Sequence, residues 1–187
     1  MSSKLGVQNI AHTNGTNAMT ISSGGETTFT TDPFNSVFEV WDYGTTNAQI
    51  ANGTVLSGWS RKTSGLIPSK NVGMSESSGI WTFPSTGVWS ASIQWNIYTT
   101  AATLWHGLQV YETEDNSSYT NVRSAYTNSY AGAAYSNVVI NHIVNITNTS
   151  NQKIKFQTNT ASNVYVQTSG AGAGSTFLQF IKLCPSV

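Results

Sequence analysis

One segment near the middle of the chain, residues 87–98, constrains the fold more than any other. Apolar and polar residues alternate along it, with Trp89, Ala91, Ile93, Trp95 and Ile97 set between Ser90, Ser92, Gln94 and Asn96. Successive side chains of a β-strand point to opposite faces of its sheet, whereas a helix would scatter this pattern around its circumference. The segment therefore predicts a long strand with one face buried in a core and the other face polar.

Runs of strand length, separated by turn residues, continue along most of the chain. Val138, Ile140, Val144 and Ile146 repeat the period of two, and His142 falls on the same face. Further strands are predicted at residues 37–43, 104–113, 153–158, 164–168 and 176–183, and no segment has a helical pattern. A chain of 187 residues is long enough for one sandwich with a substantial core. We expect an all-β antiparallel sandwich at residues 26–187.

The first 25 residues have a different character. Their apolar residues are isolated among Asn, Thr, Ser and Gly, with no periodicity and little to bury. Such a segment gains too little free energy from ordering alone to offset the conformational entropy that it loses. We therefore expect residues 1–25 to form an extended arm that a neighbouring chain holds in place.

Charge and composition exclude several classes of partner. Charged residues make up 9% of the chain and cancel to a net charge of zero, and among the basic residues only Arg61 and Lys62 are adjacent. Nucleic-acid binders need clustered cations to displace counterions, so DNA and RNA are excluded as principal partners. No apolar run is long enough to cross a bilayer, and the first ten residues lack the order of a signal peptide. With Cys184 as the one cysteine, we expect a soluble protein that folds in a reducing cytoplasm without export.

A short motif resembles a known family of β-sandwiches. The segment Gly79–Ser90, GIWTFPSTGVWS, places aromatic residues before Pro84 and after Gly87. It resembles the G-x-F/W-x-x-P-x-x-G-x-Y/W signature of the C1q-like and tumour-necrosis-factor-like (TNF-like) jelly rolls. The proline ends strand pairing and the glycine permits the turn into the next strand. The resemblance covers residues 35–187 and implies a jelly roll that assembles as a homotrimer.

The closing strand carries apolar bulk on both of its faces. Phe177, Ile181 and Leu183 lie on one face, and Leu178 and Phe180 lie on the other. In a single sandwich one of these faces would meet water, and a subunit interface is the usual way to cover it. We assign Leu178 and Phe180 to the interface of the homotrimer.

The arm carries a second resemblance. Residues 7–21, VQNIAHTNGTNAMTI, are similar to short segments that precede the head domains of phage virion and fibre proteins, notably marine ones, which carry I-x-H-T-N/G-G-T-x-A-M-T-I. The resemblance implies a structural protein of a tailed-phage particle. It marks five residues of a particle-attachment arm: Val7, Ile10, His12, Met19 and Ile21.

The residue pattern offers no catalytic, cofactor or metal site. His12, His106 and His142 lie outside zinc-ligand spacing of one another, and no serine lies in a G-x-S-x-G elbow or a local Ser-His-acid signature. We therefore expect no enzymatic activity and no cofactor. His142 is interpreted as a packed or interfacial histidine, with a pH-sensitive subunit contact as the alternative.

An acidic cluster at residues 112–115, ETED, follows the strand predicted at 104–113. Its carboxylates are oxygen ligands of the kind that calcium prefers, but the cluster lacks the D-x-D-x-D-G order of a dedicated loop. A solvated turn is the favoured interpretation.

The six tryptophans fall into two groups. Trp81, Trp89 and Trp95 are expected in the core, whereas three others border polar turns: Trp41, Trp59 and Trp105. An aromatic ring beside a polar turn can stack on a sugar ring, but burial at a protein interface explains the same placement. These three residues are our candidates for glycan stacking.

Two functions follow from these expectations. The first is a capsid decoration or cement protein, which sits on the phage major capsid protein at the virion surface after assembly in the host cytoplasm. The alternative is a receptor-binding fibre or tail-tip protein that recognises host surface polysaccharide. A third class, a secreted C1q-like ligand of a cell, fits the jelly roll but neither the phage-like arm nor the expected lack of export.

Overall fold

The computed structural model separates two compact units, Met1–Asn35 and Ser36–Val187. The residues that it describes are 9–11, 17–21, 23, 27–29, 37–44, 48–63, 73–100, 103–129, 134–167 and 176–187. Every strand pairing among them is antiparallel, and the same residues contain no helix, hence none that is long and apolar enough to span a membrane. The predicted all-β antiparallel architecture is confirmed.

The N-terminal unit is a small sheet of three strands in the order β1-β2-β3, which comprise Asn9–Ala11, Asn17–Ile21 and Thr27–Phe29. The sequence predicts an extended arm here and none of these strands, because the segment has no apolar periodicity. The third strand lies beyond residue 25, the boundary predicted from the sequence, and it pairs with β2 inside the N-terminal unit.

The second unit is a sandwich of two sheets. Its strands in chain order are β4 Phe38–Tyr43, β5 Gln49–Ile50, β6 Trp59–Arg61, β7 Ser75–Ser77, β8 Ile80–Thr82, β9 Gly87–Thr99, β10 Thr103–Thr113, β11 Thr120–Ser129, β12 Ala134–Ile146, β13 Lys153–Thr160, β14 Val164–Val166 and β15 Phe177–Cys184. A five-stranded sheet has the order β11-β10-β13-β8-β7, and a seven-stranded sheet holds the others.

Strand β9 organises the seven-stranded sheet. One of its edges pairs with β12 along its whole length, and its other edge pairs first with β15 and then with β14. Beyond β15 the sheet continues through β4 to β6. The apolar stripe of β9 is fully buried, as its period of two predicts: Trp89, Ala91, Ile93, Trp95 and Ile97. His142 is buried on the core face of β12, also as predicted.

Two glycines of the motif that resembles the C1q-like and TNF-like signature lie next to strands: Gly79 precedes β8, and Gly87 begins β9. Gly79 has a φ of +82°, and a Cβ at this position would lie 2.4 Å from Cγ1 of Val55. Gly87 has a φ of +151°, and its Cβ would lie 2.8 Å from the carbonyl oxygen of Cys184. Both positions combine a backbone conformation that favours glycine with a close approach of neighbouring atoms. The turn that the sequence predicts at Gly87 is confirmed.

Candidate functional site

The outward face of the seven-stranded sheet carries rows of apolar side chains, which we call the apolar rows. In one row, Val139 of β12 and Phe177 of β15 lie on either side of Gln94 of β9. In a second row, Ile143 and Ile181 lie on either side of Ser90 in the same way. Ile143 is 63% exposed and Val139 is 50% exposed. A single chain thus leaves bulky aliphatic side chains in water on one sheet face.

A row of three tyrosines crosses the same face at the end of β9. Tyr98 lies between Tyr135 of β12 and Tyr165 of β14 in the strand register. The rings of Tyr98 and Tyr135 have their centroids 4.9 Å apart, and Tyr135 is 76% exposed. Tyrosine is enriched at the cores of protein interfaces, because its ring buries apolar area while its hydroxyl keeps a hydrogen-bonding partner.

The structure corrects the prediction that two residues of β15, Leu178 and Phe180, lie in the interface of the homotrimer. Leu178 and Phe180 are completely buried in the core of the sandwich. Side chains enclosed by their own chain cannot also contact a neighbouring subunit. The apolar side chains that this strand turns outward are instead those of the opposite face, among them Phe177 and Ile181. Because both faces of β15 are apolar, the period of two separates the residues of one face from those of the other but does not indicate which face points into the core.

Two of the three tryptophans predicted to stack on glycans are also corrected. Trp41 and Trp59 are buried members of the core, where edge-to-face contacts join them to Trp81. The Nε1 atom of Trp59 donates to the Leu56 carbonyl, and that of Trp41 donates to a carboxylate oxygen of Glu39. Both rings are therefore unavailable to a ligand.

Trp105 is the tryptophan of the three that reaches the surface. It lies on the outward face of the five-stranded sheet, with its ring 5.8 Å from that of Tyr126 and nearly perpendicular to it, at 83°. Together with Asn159 these rings line a shallow depression of about 310 Å³. We call these three residues the aromatic corner. Of these residues, only Trp105 was a candidate from the sequence; Tyr126 and Asn159 were not predicted.

Two histidines bridge the sheets between β10 and β12. His106 of β10 shares a 2.8 Å hydrogen bond with Ser136 of β12, and His142 of β12 shares a 2.5 Å hydrogen bond with Glu112 of β10. Burial lowers the pKa of His106, which favours the neutral ring. His106 is completely buried, whereas its partner Ser136 is partly buried. Both pairs are therefore contacts between the sheets.

The acidic turn after β10 is organised by Asp115. One of its carboxylate oxygens accepts hydrogen bonds from the backbone N–H groups of Ser117 and Ser118 and from the Thr113 hydroxyl. The bonds from Ser118 and Ser117 hold the pKa of this carboxyl well below its usual range. No three His, Cys, Asp or Glu side chains come together as a metal-binding group within the described ranges. The hydrogen bonds within the turn are sufficient to explain the position of the Asp115 side chain.

The residues predicted for particle attachment lie in the N-terminal unit. Ile10 lies in β1, and Met19 and Ile21 lie in β2, where both side chains are partly buried. Val7 and His12 lie outside the described residues. The role of the five residues in attachment stays a prediction.

Comparisons with known proteins identify the fold through structure. The Eiger TNF from S. frugiperda superposes with a TM-score of 0.64 at 9% sequence identity, over 81% of this chain and 95% of that chain. The TNF-like jelly roll is the fold of this chain. Murine APRIL at pH 5.0 superposes with a TM-score of 0.56 at 13% identity, over 79% of this chain and 99% of that chain. The predicted C1q/TNF-like fold class is confirmed.

No protein-family model matches the sequence, and no curated protein matches it. At 9% and 13% identity the structural similarity extends to the fold alone. Because one fold supports many functions, the fold alone does not identify the function of this chain.

Proposed function

We propose that this chain is a non-enzymatic virion structural protein of a tailed phage, which assembles as a homotrimer and decorates the capsid. The observation that supports the homotrimer is the exposure of the apolar rows and of the tyrosine row on one sheet face. The phage assignment rests on the similarity of residues 7–21 to segments of phage virion and fibre proteins.

A second copy of the same chain fits the outward face of the seven-stranded sheet. The face presents apolar side chains from β12 and β15, and between them lie neutral hydrogen-bonding side chains from β9. Ser92 of β9 already donates a hydrogen bond to Asn141 of β12 across this face. An apolar surface with neutral polar groups and few charges has the composition of an interface core. The location of this surface on a TNF-like jelly roll favours an assembly of three copies around one axis.

The replacement Ile143→Arg is expected to convert the trimer to monomers. It places a charge on one of the apolar rows, which a neighbouring copy would have to desolvate. Light scattering on the unchanged protein should give three times the 20.1 kDa mass of one chain, and the variant should give the mass of one chain.

The matched control is Asn151→Arg, which adds the same charge on the exposed turn between β12 and β13. It should remain trimeric, and circular dichroism should show that both variants keep the sandwich fold. A monomeric mass for the unchanged protein at micromolar concentration would exclude the proposed assembly.

Attachment to the particle is expected to depend on the N-terminal unit. The jelly roll has its own core within residues 36–187, so removal of residues 1–35 should leave it folded while binding to particles that lack the protein is lost. Co-sedimentation of full-length and shortened protein with such particles measures the effect, with circular dichroism as the folding control. Equal binding of the two forms would move the attachment site to the jelly roll.

The second candidate function is receptor binding by a fibre or tail-tip protein. The exposed ring of Trp105 favours it, because a ring on the outer surface is accessible to a host polysaccharide. Immunogold labelling separates the two functions, since decoration labels the capsid and receptor binding labels the tail. Copy number provides a second criterion: a decoration protein is present in far more copies per particle than a fibre protein.

A further inference from the structure

The aromatic corner is a surface whose side chains are held in place without a ligand. Gly107 of β10 lies between Tyr126 of β11 and Asn159 of β13 in the strand register. A Cβ at position 107 would lie 2.4 Å from Cδ1 of Tyr126, so the tyrosine ring rests on the sheet above the glycine. The missing side chain of Gly107 thus makes room for the ring, and one side of the ring is supported while the other faces solvent.

Hydrogen bonds fix the same ring at its hydroxyl. Asn159 Nδ2 donates to the Tyr126 hydroxyl oxygen over 3.0 Å, and Gln109 Nε2 donates to it over 3.3 Å. Gln109 in turn accepts a 3.0 Å hydrogen bond from the Tyr111 hydroxyl. Because the Tyr126 oxygen accepts in both of these bonds, its own hydrogen can be donated to an acceptor outside this network. A ligand hydroxyl is an acceptor of the required kind.

The two rings form a corner that is open to solvent. Trp105 is 38% exposed and Tyr126 is 50% exposed, and their planes meet at 83°. One ring can stack against the flat apolar face of a ligand while the other contacts its edge. The amide of Asn159 adds both a donor and an acceptor at the rim. Preorganised side chains of this kind lose little conformational entropy when a ligand binds.

The charge of the corner restricts the class of ligand. Its lining residues, Trp105, Tyr126 and Asn159, are all neutral. The next cation along β13, Lys155, lies over the rings of Tyr111 and Tyr119, with its Nζ 5.2 and 4.4 Å from their centroids. Acidic ligands therefore meet no cation in the lining, and single-stranded nucleic acid, which combines stacking with a basic groove, is disfavoured.

We infer that the aromatic corner binds a neutral saccharide, with one sugar ring stacked on an aromatic face and its hydroxyls bonded to Tyr126 and Asn159. A sugar ring combines an apolar C–H face with hydroxyls around its edge, which matches two aromatic faces beside a phenol and an amide. The inference deepens the second function proposed above, and it holds for the purified protein wherever the protein sits on the particle.

Saturation-transfer NMR on the full-length protein tests the inference. The probes are maltohexaose, cellohexaose and isomaltohexaose, together with a heparin-derived hexasaccharide and decaproline. At least one neutral oligosaccharide should bind, and its binding should be weakened by at least about tenfold in Trp105→Ala. Tyr126→Phe should weaken binding by less than Tyr126→Ala, because it keeps the stacking ring and loses the hydroxyl.

The control variant is Val122→Ala, an exposed apolar residue of the same strand as Tyr126 that lies outside the corner. It should bind as the unchanged protein does. Failure of all three neutral oligosaccharides to bind, or stronger binding of the heparin fragment or of decaproline, would overturn the inference. None of these results depends on particle location, so failure here leaves the capsid decoration proposal intact.

Discussion

Replacement of Trp81 by alanine is expected to lower the free energy of unfolding of the jelly roll by about 5 kcal/mol, near the upper end for truncation of a buried aromatic residue. Trp81 belongs to β8 in the five-stranded sheet and is completely buried. Its ring centroid lies 5.0 Å from that of Trp41 and 4.9 Å from that of Phe180, and both partners belong to the seven-stranded sheet. The side chain thus joins the two sheets.

Two effects add in this substitution. The alanine leaves a cavity between rigid rings that cannot collapse to fill it, and it removes aromatic pair contacts worth about 0.5–1.5 kcal/mol each. Trp81→Phe should cost less, because it keeps a ring. It also removes the indole Nε1, which is buried and has no hydrogen-bond partner within the described part of the chain.

Guanidinium unfolding followed by circular dichroism measures these losses, at one fixed protein concentration because assembly is linked to folding. The matched control is Trp105→Ala, the same substitution at a half-exposed tryptophan, with an expected loss under about 1 kcal/mol. If Trp81→Ala does not fold, the loss of unfolding free energy in Trp81→Phe still measures the contribution of Trp81 to stability. Equal unfolding midpoints for Trp81→Ala and Trp105→Ala would show that Trp81 does not join the sheets.

The long strands were predictable because burial on one face leaves a period of two. β9 and β12 carry that period, and their core faces were placed correctly. Strand β11 was not predicted, because neither of its faces is buried enough to leave a hydrophobic pattern. It lies at the edge of the five-stranded sheet with most of its residues exposed on both faces. Its pairing with β10 rests on backbone hydrogen bonds, which leave no hydrophobic pattern.

The surfaces were harder to predict than the strands. A period of two separates the faces of β15 but does not identify the one that meets the other sheet, and so Leu178 and Phe180 were assigned to an interface. The aromatic corner joins strands that are far apart in sequence, so no local motif contains it. One signal was present, since Gly107 inside a predicted strand indicates that another group approaches the backbone closely.

The role of Glu39 could not be predicted from the sequence, because an acidic residue within a strand pattern does not show whether its side chain is buried. The side chain is completely buried on the core face of β4. One carboxylate oxygen accepts hydrogen bonds from Arg61 Nε at 2.9 Å and from Trp41 Nε1 at 3.0 Å. The other accepts from the backbone N–H groups of Met74, at 2.8 Å, and Gly73. The carboxylate therefore ties β4 to β6 and to the segment before β7.

Glu39→Ala is expected to lower the free energy of unfolding by about 3–5 kcal/mol. The loss arises less from the attraction between Glu39 and Arg61 than from the donors that remain. Arg61 is partly exposed and can turn toward water. The indole N–H of Trp41 and the backbone N–H of Met74 stay in buried surroundings, where each unpaired donor costs about 1–3 kcal/mol.

Glu39→Gln keeps the shape of the side chain and removes its charge, so guanidinium unfolding of this variant separates the two contributions to stability. The amide keeps one acceptor oxygen for the backbone N–H groups, but its NH₂ faces the donors of Arg61 and Trp41, so an intermediate loss is expected. Glu114→Ala, at an exposed position of the acidic turn, is the control, and its effect should stay within about 0.5 kcal/mol. If Glu39→Ala unfolds at the same guanidinium concentration as Glu114→Ala, the four donors find other acceptors. The buried carboxylate would then be dispensable for stability.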